Sequence, residues 1–181
     1  MSEVKRLNWG CGRSSAPGWI NSDRNPLSGV DIVADILEGG LPLADESMDY
    51  VVSIHALEEV PIPDLVPVLR ELRRVLKTGG RLRLVLPDLD RGIRAYQNNK
   101  RDYFLIPDED AKSIGSKFIM QLLWYGYSRS LFTGDFLEEL LQKAGFREIF
   151  HCGYQQTSGP NPEIVELDSR PDESLFIEAI R

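Results

Sequence analysis

Leu7-Asn8-Trp9-Gly10-Cys11-Gly12, then Trp19-Ile20-Asn21-Ser22-Asp23, Asp31-Ile32-Val33-Ala34-Asp35 and Met48-Asp49-Tyr50-Val51-Val52-Ser53-Ile54-His55, are the segments on which the fold turns. Each is a short apolar or β-branched run that stops at glycine or a polar residue, and the unbroken Tyr50-Val51-Val52 run is expected of a strand covered on both faces. Strands are therefore expected at Val4–Trp9, Trp19–Ser22, Asp31–Asp35 and Met48–Ile54, with helices on both faces of the sheet. In open parallel sheets ligands sit outside the carboxyl ends of the strands, where strand order reverses. Asn8, Gly10 and Gly12 stand at the first such end, Asp23 at the second, Asp35 at the third and His55 at the fourth. Glycine lets backbone approach a ligand with no Cβ in the way. An acid one strand over, Asp23, suits two ribose hydroxyls, and Asp35 suits an exocyclic amine, so the series describes a nucleoside-shaped site.

Working outward, Leu65, Leu69, Leu72 and Leu76 recur at helical spacing between Pro61 and Thr78, with Arg70, Glu71, Arg73 and Arg74 on the other face. Gly79-Gly80 is read as the left-handed stop of that helix, followed by a strand over Arg81–Leu86. A second helix is expected over Asp135–Ala144, ended by Gly145, and two closing strands over Phe146–Cys152 and Ser174–Ile180. The Pro- and Gly-rich connection from Gly153 to Asp172 is expected to be partly mobile. Between Leu89 and Leu131 the rhythm changes to a segment holding Arg91, Tyr96, Tyr103, Phe104, Trp124, Tyr125, Tyr127 and Arg129. It either caps an acceptor site at the active edge or packs an auxiliary helix or a homodimer contact. Only residues 13 to 22, including Pro17 and Gly18, separate Gly12 from Asp23. A parallel crossover with its helix takes about ten to twelve residues, so the first crossover helix should shrink to a turn or a short 3₁₀ segment.

The 181 residues suit one domain, 1–181, with 42% hydrophobic and 27% charged residues and no room for wholesale disorder. A formal charge of −7 sets the average surface field against nucleic acid and anionic membranes. No run approaches the roughly 20 apolar residues of a membrane span, and Met1 to Leu7 lacks the apolar core of a signal peptide, so a cytoplasmic protein is expected. Cys11 and Cys152 alone can build neither a disulfide framework nor a cysteine-rich zinc site, and no metal is expected.

A dinucleotide fingerprint would need glycine or alanine where Ser15 stands and an acid about 20 residues on, whereas Asp23 arrives early. A pyrophosphate also needs the helix N-terminus that the short crossover removes. The segments Leu7–Gly12, Pro17–Asp23, Leu41–Asp49, His55–Glu58, Arg74–Gly80 and Val85–Asp88, with Ala144-Gly145-Phe146 further on, resemble class I S-adenosylmethionine-dependent methyltransferases, in the branch of small methyltransferase-11-type proteins. That resemblance implies a doubly wound, Rossmann-like, seven-stranded α/β sheet of order 3-2-1-4-5-7-6 with the seventh strand antiparallel. It implies S-adenosylmethionine as cofactor, S-adenosylhomocysteine as product and a small-molecule or sugar acceptor. The cofactor set it implies is Asn8, Gly10, Cys11, Gly12, Asp23, Arg24, Asp35, Ile36 and His55. Two positions depart from the family: Asn8 stands where an acid is usual, and Glu59 where the branch often has histidine. Candidates to remove an acceptor proton are His55, Glu58, Glu59, Asp88 and Tyr96, with His55 the one named as a catalytic candidate. The competing readings are an NAD-binding enzyme and a non-catalytic nucleoside-binding or interaction module on the same fold.

Overall fold

Strand β1 (Arg6–Trp9) lies inside a parallel array, with β2 (Ile20–Asp23) on one side and β4 (Met48–Ile54) on the other, in the computed structural model, which describes residues 4–181. Residues 1 to 3 of the chain start discussed above lie outside the described residues. Adding β3 (Ile32–Val33), β5 (Leu76–Pro87), β6 (Ile149–Cys152) and β7 (Ser174–Ile180) completes a seven-stranded sheet of order β3-β2-β1-β4-β5-β7-β6. Only β7 runs opposite to the other six strands. This is the order the family resemblance implied. Strand order reverses at β1, so the carboxyl ends of β1 and β4 flank the switch point.

One face of the sheet presents Leu7, Val51, Leu82, Leu84 and Ile177 to α1 (Leu65–Val75) and α4 (Gly134–Ala144). Leu65, Leu69, Leu72, Leu137 and Leu141 on these helices are fully buried, and truncating any one to Ala costs about 2–5 kcal/mol. Helix α4 ends as expected at Gly145, whose φ of 98° puts it in the left-handed region. Helix α1 ends earlier than its leucine pattern suggests. Leu76 is already extended and pairs with Met48 as the first residue of β5. Gly79-Gly80 therefore does not stop the helix; it lies within β5, where the register against β4 shifts between Met48 and Tyr50. A Cβ on Gly80 would stand 2.8 Å from the Lys77 carbonyl oxygen, which is why the second glycine is needed there.

The opposite face departs from the expectation of helices on both sides. Residues 10 to 19 form turns and no helix, as the short crossover implied, and residues 24 to 31 between β2 and β3 are also too few for one. In place of helices, the β6–β7 connection folds back over the sheet, and its 3₁₀ turn Pro162–Val165 buries Ile164 against Trp19, Tyr50 and Val52. Buried polar contacts tie this connection to the sheet. Arg83, on β5, is fully buried, and its Nε and Nη2 donate to the two carboxylate oxygens of Asp168 at 2.6 and 2.5 Å. Its Nη1 donates to Glu178 Oε1 at 2.9 Å and to the Gln156 carbonyl at 3.1 Å. Burial works against the charge on Arg83, but the bonds to Asp168 and the nearby Glu178 outweigh it and hold the guanidinium's pKa above its ordinary value.

The segment after β5 forms α2 (Leu89–Gln97) and α3 (Ile114–Leu123), which pack on each other. Asp88 caps α2 by accepting from the Arg91 N–H at 3.0 Å. Among the described residues no helix is long and apolar enough to cross a membrane, and no group of three or more His, Cys, Asp or Glu could hold a metal ion.

Asp168→Asn leaves a buried guanidinium short of one counter-charge and should lower unfolding stability by about 3 kcal/mol, read by urea denaturation. The latch should also weaken in acid. Burial opposes charge on Glu178, yet hydrogen bonds from Ser158 and Thr157 and the charge of Arg83 hold its carboxyl below the usual carboxylate range. A depressed folded pKa gives stability that is full above the unfolded value, about 4.3, and is lost as pH falls through the folded one. Urea midpoints should therefore fall only on the acid side of that value.

Candidate functional site

All nine residues of the expected cofactor set, Asn8, Gly10, Cys11, Gly12, Asp23, Arg24, Asp35, Ile36 and His55, line one crevice of about 580 Å³ at the carboxyl ends of β1 to β4. This volume lies within the roughly 300–1,000 Å³ of small-molecule sites. The turn after β1 is tied to β2: the Gly10 and Cys11 N–H groups both donate to the Ser22 carbonyl at 2.8 and 3.0 Å. Gly12 N donates to Asp23 Oδ2 at 2.8 Å. Asp23 Oδ1 accepts from the Asn25 N–H at 2.8 Å and from Asn25 Nδ2 at 3.2 Å. Three of about four lone-pair positions on this largely buried carboxylate are thus engaged by the protein. Asp35 is freer, with Oδ1 accepting from the Leu37 N–H at 2.9 Å, and the Ile36 N–H has no partner among the described residues.

The two glycines differ in purpose. Gly10 has φ of 69°, and a Cβ there would meet the Ala56 Cβ at 2.3 Å, so it is neighbouring chain at the β4 end, and not ligand space, that demands glycine. A Cβ at Gly12, φ 52°, meets nothing within 4 Å. That is the position where backbone is left open. Asn8 is buried, and its Nδ2 donates to the Ser14 carbonyl and to Asn21 Oδ1, each at 3.1 Å. A carboxylate could make neither bond, which accounts for an amide where the family usually has an acid. Cys11 is buried with its thiol pushed up by burial and by the Asp23 charge, so it is not an activated nucleophile.

His55 has φ of 50°, a left-handed conformation that histidine tolerates better than most residues. Its Nε2 shares a 2.8 Å hydrogen bond with Ser174 Oγ, and its Nδ1 lies 3.3 Å from Glu58 Oε1 and 3.4 Å from an Arg170 nitrogen. His55, Glu59 and Arg170 border both the crevice and a second cavity of about 180 Å³. That cavity lies under α2, α3 and the turn after them, lined by Tyr103, Phe104, Phe118, Trp124, Tyr127 and Phe132 together with Glu58, Asp88 and Glu173. Of the five candidate proton acceptors it gathers four, His55, Glu58, Glu59 and Asp88, whereas Tyr96 stacks on Phe118 at 5.0 Å outside the lining. Burial raises the carboxyl of Glu59, partly offset by Arg24 at 3.0 Å and reinforced by Glu58 and Asp23. The Tyr103 hydroxyl is pushed up to about 12 by burial and by the charges of Asp88 and Glu173. His151, on β6, is exposed beside Glu138 and takes no part.

Arg170, Glu173 and Ser174 escape sequence reading because they come from the end of the irregular β6–β7 connection. Arg170 reaches the site through a left-handed backbone, φ 53°, that no local pattern announces.

Residues 7–84 match a family model described as "Methyltransferase domain". Demethylmenaquinone methyltransferases of Listeria welshimeri and Listeria monocytogenes are 34% identical over 117 residues, covering 62% of this chain and 48% of the relative. The chain thus spans about half the length of the curated relatives it matches. A SAM-dependent methyltransferase of Archaeoglobus fulgidus superposes with a TM-score of 0.62 at 15% identity, over 98% of this chain and 86% of that one. A "SAM-dependent methyltransferase, possible histamine N-methyltransferase" of Thermotoga maritima gives 0.57 at 21%, over 99% and 83%.

Gly10→Ala should unfold or strongly destabilise the chain, because the new methyl has no space and the left-handed backbone disfavours it. Gly12→Ala should cost only the backbone term, about 1–2 kcal/mol, and leave the fold intact. Thermal melts of the two variants check this order.

Proposed function

We propose that this chain, whose fold and matched domain are those of class I S-adenosylmethionine-dependent methyltransferases, binds S-adenosylmethionine in the larger crevice and methylates a small molecule held in the smaller cavity. The observation that carries this reading is that the whole expected cofactor set meets in one crevice, which shares His55, Glu59 and Arg170 with a second cavity. When bound, the cofactor supplies a methyl group on a positively charged sulfur.

The residues fit such a group better than a dinucleotide. Residues 10 to 19 offer no helix N-terminus for a pyrophosphate. Asp23, with its remaining acceptor capacity, and Asn25 hold the ribose. Asp35 and the free N–H of Ile36 hold the adenine edge. The Gly10–Gly12 backbone, Asn8, Cys11 and Arg24 line the rest of the crevice, and His55 forms the wall between the two spaces. His55 acts as a positioned wall and not as the base, because both ring nitrogens already face protein partners. Residues 89–131 form the cap over the acceptor, where their aromatic side chains exclude water so that alignment does most of the catalytic work. The acceptors printed for the relatives, a demethylmenaquinone and a histamine, differ in chemistry and do not name the acceptor here.

Asp35→Ala is the cleanest test, since Asp35 supports only the Leu37 N–H whereas Asp23 also holds the turn after β1. Its S-adenosylhomocysteine affinity in calorimetry should fall by about 1–3 kcal/mol with the melting temperature unchanged. Tight binding of NAD in place of S-adenosylhomocysteine, or no nucleoside binding at all, would instead support the dinucleotide or the non-catalytic alternative.

A further inference from the structure

We propose that the smaller cavity selects an acceptor that carries a basic amine, so that the methyl group goes to nitrogen; this rests on the methyltransferase reading above. The cavity's volume, about 180 Å³, is close to that of an apolar cavity of about 150 Å³ that accommodates benzene, so one ring with a short side chain fits. Its lining holds four carboxylates, Glu58, Glu59, Asp88 and Glu173, against one permanent cation, Arg170. Three of the four have arginine partners: Glu59 with Arg24 at 3.0 Å, Asp88 with Arg91 at 3.1 Å and Glu173 with Arg170 at 3.5 Å.

Glu58 is different. It is 6% exposed, has no Lys or Arg partner among the described residues, and its Oε2 is buried with no hydrogen bond at all. A buried carboxylate without a counter-charge is costly, and a cationic ligand in the cavity that Glu58 lines would offset that cost. The aromatic side chains of Trp124, Tyr103 and Phe118 line the same cavity, and aromatic rings attract a cation. Trp124 already receives the Arg170 guanidinium 5.7 Å from its ring centre. An anionic acceptor is opposed by the same carboxylates, and a neutral one leaves the buried charge of Glu58 without a counter-charge.

The chemistry balances without a further reactant. The bound ammonium must give up a proton before its nitrogen can attack, and the Glu58 carboxylate is the acceptor the cavity lining supplies. The freed nitrogen lone pair then forms the new N–CH₃ bond as the S–CH₃ bond breaks, and the electron pair of that bond stays on sulfur. The methylated nitrogen carries the positive charge that sulfur loses.

The test is calorimetry with phenethylamine and its neutral counterpart 2-phenylethanol, titrated into protein already saturated with S-adenosylhomocysteine. The amine should bind at least about tenfold more tightly than the alcohol. Glu58→Gln should shrink that preference to within about threefold and leave S-adenosylhomocysteine affinity unchanged. The comparison of probes on the unaltered protein stands even if that variant folds poorly, and Glu173→Gln should narrow the preference less. Equal affinities for the two probes, or binding of neither beside bound S-adenosylhomocysteine, overturns the proposal. Failure of S-adenosylhomocysteine itself to bind is a separate result and overturns the methyltransferase reading.

Discussion

Asn8 Nδ2 donates to Asn21 Oδ1 over 3.1 Å between β1 and β2, where the two residues stand side by side in register, and the switch point hangs on that contact. Asn21 continues the network: its Oδ1 accepts from the Ala16 N–H at 2.8 Å, and its backbone N–H donates to Asp31 Oδ2 at 2.8 Å. Two buried amides thereby fix a crossover that has no helix. The polar groups that a helix would have satisfied internally are satisfied by side chains from the strands beneath. The same network holds the turn after β1 close enough for the Gly12 N–H to meet Asp23, which brings the first two polar strand ends into one crevice.

Losing helices from one face of a sheet exposes apolar strand residues, and the chain compensates with its own late connection. Arg83, Asp168 and Glu178 pin that connection over Tyr50, Val52 and Trp19. A buried ion group is a costly way to hold a loop, and its geometry does what a hydrophobic contact does not: it fixes direction. From the pinned Asp168 the chain runs directly to Arg170, which borders both cavities, to Glu173, which lines the smaller one, and to Ser174, which bonds His55. The cover of the second face and the wall of the site are thus one structural element.

Periodic features were legible in the sequence. The bounds of β4 and β7 agree with their apolar runs, α4 agrees to within one residue, and the polar strand ends converge as the switch-point rule requires. Gly10 was legible as a required glycine but for a different reason, since only the folded chain shows Ala56 pressed against it. Long-range polar pairs were not legible. Arg83 and Asp168 are 85 positions apart, and an arginine in an alternating strand reads as solvent-facing until the loop that covers it is seen. Leu76 misled for a related reason: its spacing continues the face of α1, but pairing with Met48 across the sheet outweighs helical periodicity.

Amide hydrogen exchange with and without S-adenosylhomocysteine tests the central claim most directly, because the hydrogen-bonding contacts to the cofactor lie at the ends of β1, β2 and β3. Slower exchange is expected, confined to residues 8–14, 23–25 and 35–37, with the sheet interior and α4 unchanged. Unaltered exchange in these three segments, or protection appearing only elsewhere, would contradict it.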